Sequence, residues 1–69
     1  MQRKYTVLIE RDENGWLVSD VVELPGCHTQ AKTVDLLLER TREAILAYKE
    51  ALKGAVPTAE FVGIQQVTV

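Results

Sequence analysis

Residues Trp16–Ala31 read WLVSDVVELPGCHTQA, and the fold turns on this stretch. Apolar residues alternate along its first half. Leu17 and Val21 fall on one side of an extended chain, and Trp16, Val18 and Val22 on the other, which is the period of a strand. The strand runs from Trp16 to Glu23, and Leu24-Pro25-Gly26 breaks it. Pro25 has no N–H to give a ladder, and Gly26 suits a bend. Cys27 to Ala31 is long enough for a short further strand.

The chain before this stretch, RKYTVLIE at Arg3–Glu10, is another strand, with Tyr5, Val7 and Ile9 opposite Thr6, Leu8 and Glu10. Asn14-Gly15 supplies residues that tolerate positive φ, so the two strands form a hairpin. After Ala31 the period changes. Thr33 is a suitable N-cap and Asp35 favours a first turn. Val34, Leu37, Leu38, Thr41, Ile45, Tyr48 and Leu52 then recur as one helical stripe, flanked by Ala44 and Ala51. Lys49 and Lys53 suit the last turn and Gly54 the position beyond it, so the helix is predicted over roughly residues 34–53. Residues 55–60 read as a linker, and Phe61–Val69, FVGIQQVTV, as a last strand. The predicted fold is α+β, in the order β-β-β-α-β. A right-handed crossover would set the last strand beside the first. That gives a four-stranded mixed sheet of order 3-2-1-4 with the helix on one face.

One helix covers one face of such a sheet, yet both faces carry apolar residues. The last strand would also be an open edge rich in β-formers. Large exposed apolar patches and unpaired edges mark association. A homo-oligomer is therefore predicted, with Leu8, Leu36, Leu46, Phe61, Val62 and Ile64 as interface candidates.

The 69 residues make a single domain, and a core this small usually needs a further staple. Cys27 is the only cysteine, so no internal disulfide forms, and a reducing, cytoplasmic setting is the simpler expectation. No apolar run reaches the ~20 residues of a membrane span, and no signal-type apolar region follows Met1. The net charge is −2 and the eight Lys and Arg residues are scattered. Direct DNA or RNA binding is disfavoured, because phosphate neutralisation supplies most of that affinity. A mildly acidic chain better suits a basic protein partner.

Several segments, in order and spacing, resemble the HicB-like antitoxin family. They are Tyr5-Thr6-Val7, Asp12-Glu13-Asn14-Gly15, Glu23-Leu24-Pro25-Gly26-Cys27 and Glu43-Ala44-Ile45. The resemblance covers Tyr5 to Ile45 and extends towards the last strand. It implies a partial ribonuclease-H-like unit. It also implies a function, the neutralisation of a small basic HicA-type toxin that cleaves messenger RNA, by direct occlusion. Many such antitoxins add a C-terminal DNA-binding domain, and none is expected here. The family pattern often has Gly-Asp before the helix threonine and Glu-Glu-Ala early in the helix. Here Ala31-Lys32 and Asp35-Leu36-Leu37 stand in those places. The alternative is a stand-alone oligomeric domain with a self-association or small-ligand role.

Cys27 and His28 are the residues most suggestive of chemistry. Neighbours on a strand point to opposite faces, so the two do not converge on one atom. No second Cys or His completes a zinc set. Cys27 is expected in the core and His28 at the surface. Asp20, Glu10 and Glu23 could imitate parts of a two-metal nuclease site, but the rest of such a site is missing. No catalytic residue, metal or cofactor is expected, and the chain is not expected to be an enzyme. The partner-binding candidates are Asp12 and Glu13 in the hairpin, Trp16, and Leu24, Pro25 and His28 at the corner. Trp16 suits a binding hot spot and an ordinary core position equally.

Overall fold

A computed structural model of the chain describes residues 3–53 and 59–69. Strand β1 spans Val7–Arg11, β2 Leu17–Val21 and β3 His28–Ala31, and helix α1 spans Val34–Leu52. The strands form one antiparallel sheet in the order β1-β2-β3.

The hairpin between β1 and β2 closes on the pair Asp12–Trp16, where the Asp12 N–H donates to the Trp16 carbonyl at 2.8 Å. Within this loop Gly15 takes the left-handed conformation, at φ 86°. A three-residue loop ending in such a glycine matches the twist of the strands. Asp12 organises it further, since its Oδ1 accepts from the N–H groups of Asn14 and Trp16, both at 2.9 Å.

Register sorts the side chains into two sets. The rows Arg11–Leu17–Ala31 and Ile9–Ser19–Thr29 cross the sheet on the face that meets α1. The rows Leu8–Asp20–His28 and Glu10–Val18–Gln30 cross it on the other face. The core lies under the helix in two clusters, Leu17, Ala31 and Leu37, and then Val21, Leu24 and Cys27 with Tyr5, Val7, Ala44, Ile45 and Tyr48 against them. Between them sits a buried polar link. The hydroxyls of Ser19 and Thr41 are 2.7 Å apart, and Thr41 donates to the Leu37 carbonyl at 2.6 Å.

The helix begins where the period change places it. Thr33 Oγ1 accepts from the Leu36 N–H at 3.2 Å, with Asp35 in the first turn and Lys49 in the last. Lys53 is the C-cap, at φ 48°, and Gly54 lies outside the described residues. The helix axis rests on β3 and β2, not on β1. Leu37 and Thr41 are therefore the buried part of the apolar stripe, while Val34 and Leu38 stay exposed.

The four-stranded sheet of order 3-2-1-4 is not formed. Among the described residues the sheet has three strands, and Phe61–Val69 pairs with none of them. Residues 59–61 pass the start of β1, where the Ala59 N–H donates to the Glu23 carbonyl at 3.3 Å, and the chain beyond is exposed. The physical reason is that β-branched composition measures local preference, whereas a strand exists only through a ladder with a neighbour. Most of the expected linker, residues 55–58, lies outside the described residues.

Candidate functional site

The corner between β2 and β3 is built by its own backbone. The Leu24 N–H donates to the Val21 carbonyl at 3.1 Å, the Cys27 N–H to Leu24 at 2.9 Å, and the Val21 N–H to Cys27 at 2.9 Å. Gly26 supplies φ 84°. The Tyr48 hydroxyl donates to the Pro25 carbonyl at 2.7 Å and ties the corner to the helix. Leu24, 2% exposed, is turned inward and anchors the bend, while Pro25 presents the outer surface.

Cys27 is buried and His28, the next residue, is exposed at the start of β3. Burial pushes the Cys27 thiol pKa up, and the Asp20 charge adds to this. A thiol held protonated in this way is a poor nucleophile. Among the described residues no group of three or more His, Cys, Asp or Glu side chains is placed to hold a metal ion.

Glu23 has a structural partner. Its Oε1 accepts from the Thr6 N–H at 2.7 Å. Hydrogen bonding from Thr6, side chain first and backbone second, holds the Glu23 carboxyl below its ordinary range, and the Arg3 charge adds a smaller push. The carboxylate thus stands in for a ladder acceptor where β1 and β2 fray.

The sequence candidates fall at two ends of the sheet. Asp12, Glu13 and Trp16 are at the hairpin end, where the Lys32 ammonium lies 4.0 Å from the centre of the Trp16 ring. Leu24, Pro25 and His28 are at the opposite end, one strand length away, roughly 17 Å for five residues. What joins the ends is the sheet face away from the helix. Leu8, Val18 and Val22 are half-buried there, beside the exposed Glu10, Asp20 and His28. Sequence reasoning named its edges, Trp16 and His28, and missed Val18, Asp20 and Glu10 as members of one surface. Strand alternation carried that signal, but the register that aligns three strands did not show in it.

Three relatives align with the chain. A UPF0150 protein of Archaeoglobus fulgidus is 52% identical over 66 residues, covering 96% of this chain and 94% of its own. The chain belongs to the UPF0150 family. A UPF0150 protein of Synechocystis is 40% identical over 68 residues, covering 99% and 97%. A UPF0150 protein of Thermoplasma acidophilum is 54% identical over 50 residues, covering 72% of each. No family model matches the chain, and no solved structure matches it. No helix among the described residues of this UPF0150 chain is long and apolar enough to cross a membrane.

Proposed function

We propose that this UPF0150 chain is a protein-binding module of the HicB-like antitoxin type, acting by stoichiometric occlusion of a small basic ribonuclease in the cytoplasm and not by catalysis. The observation that carries the reading is the sheet face left uncovered by α1. It combines half-buried apolar residues, Leu8, Val18 and Val22, with the carboxylates of Glu10 and Asp20. Apolar contact area with acidic groups around it complements a basic protein, with the charges steering encounter. The resemblance of Tyr5–Ile45 to HicB-like antitoxins supplies the partner class.

The test is to look for a small basic protein encoded next to this chain and to co-express the two. Co-purification as a defined complex, with loss of the partner's ribonuclease activity, is the expected result. Charge reversal at Glu10 and Asp20 together should slow association and reduce its salt dependence. A basic neighbour that does not bind would end the reading.

A second reading is favoured by a separate observation. The apolar segment Phe61–Val69 lies open to water, which supports self-association as a property of the chain whether or not a toxin is bound.

A further inference from the structure

Because α1 rests on β2 and β3, a groove of ≈ 490 Å³ stays open beside β1. Its apolar wall comes from Tyr5 and Val7 on the sheet and from Leu38, Ile45 and Leu46 on the helix. The edge of β1 borders it. Thr6 accepts from Val22, and Leu8 and Glu10 continue that alternation, so their backbone groups face β2. Val7, Ile9 and Arg11 therefore turn their N–H and C=O groups outward, to an edge that no strand among the described residues pairs with.

The same chain carries a segment that matches this groove. Residues 61–69 are rich in β-formers, uncharged in their side chains and exposed along their length. Val62 is 91% exposed, Ile64 66% and Val67 82%. Their path starts beside Thr6 and Glu23, and none of them lines the chain's own groove. The total exposed surface is 5765 Å², against about 4,300 Å² for a compact chain of this mass. The excess of about 1,400 Å² exceeds the ~800 Å² per partner of a standard stable interface. The Cα radius of gyration is 13.2 Å, where about 11 Å is usual for a compact chain of this length.

We infer that two copies exchange residues 61–69, each adding this segment to the β1 edge of the other and seating its apolar side chains in the groove beneath Leu38 and Leu46. The contact is two-fold and closes on itself because the exchange is reciprocal, each tail filling the groove of the copy that fills its own. The three-stranded sheet of the single chain is unchanged, and the added strand belongs to the partner copy. This inference rests on the self-association reading. It leaves the opposite sheet face, with Leu8, Val18 and Asp20, free for another protein.

The test uses the full chain. Light scattering should give a dimer at micromolar concentration. In a sample mixing isotope-labelled and unlabelled chains, NOEs across the label boundary should join Val62, Ile64 and Val67 methyl groups to Tyr5, Val7, Leu38 and Ile45. The Val7 and Ile9 amides should be protected from hydrogen exchange. Ile64→Asp should weaken the dimer by about 100-fold while the helical circular dichroism persists, and Val67→Asp serves as a second variant if the first does not fold. A monomer would overturn exchange and self-association together. A dimer whose cross-label NOEs join other surfaces, or whose tail contacts only its own chain, would overturn exchange alone. Neither outcome bears on toxin binding, which has its own test.

Discussion

Ser19 and Thr41 show what a single residue contributes here. Their hydroxyls are buried, bonded to each other, and set between two apolar clusters. Thr41→Val keeps the shape and strands the Ser19 hydroxyl, so it should cost about 1–3 kcal/mol, the usual penalty of an unsatisfied buried group. Adding Ser19→Ala removes the stranded group and should recover part of the loss. Urea unfolding of the single and double variants measures that coupling. Glu23 sets a pH dependence. Its carboxyl titrates lower in the folded chain than in the unfolded one, so its stabilisation is complete above the unfolded value and is lost as pH falls through the folded value. Glu23→Gln should flatten the acid limb of a stability profile taken at several pH values. Cys27, buried and with its pKa raised, should react with a thiol reagent many-fold more slowly in the native protein than in urea. An equal rate in both would mean that the corner opens readily.

At the scale of elements, the local signals in the chain were strong wherever one element could be judged by itself. Thr33, Asp35 and the apolar stripe placed the helix, and Gly15 and Gly26 placed the two bends. Both glycines sit at positive φ with open space where a Cβ would stand. Gly26→Ala should therefore cost only the backbone strain, about 1–2 kcal/mol, read from the denaturation midpoint. The side chains at the corner were legible in part. Alternation separates Cys27 from His28, but nothing local shows that Leu24 turns inward or that Tyr48 reaches Pro25. Both facts depend on where the helix lies across the sheet. The same crossing decides that Leu37 is fully buried while Leu38, the next residue in the stripe, faces the groove.

At the scale of the whole molecule, the helix position leaves two surfaces, and they differ in character. The far sheet face mixes apolar side chains with carboxylates, and the groove beside β1 is walled by apolar side chains under a rim of Arg3, Arg42 and Lys49. The first supports a basic protein partner and the second an uncharged strand. If both readings hold, one dimer binds two toxin copies, and the salt dependence of toxin binding exceeds that of dimerisation. Titration of a basic partner into the dimer, and dilution of the dimer alone, each followed by calorimetry at two ionic strengths, measure both quantities. One toxin per dimer would show that exchange covers part of the acidic face.

Three strands, their hairpin order, the helix and the separation of Cys27 from His28 were legible in the order of residues. Each depends on contacts between near neighbours or on a simple period. Only the packing of the whole chain decides that Phe61–Val69 stays out of the sheet, that the helix rests on β2 and β3, and that the candidate contacts divide between two ends of the sheet, with Leu24 turned inward. A β-preference is local, but a strand's partner is not. Which edge a segment joins depends on where the rest of the chain leaves that edge open.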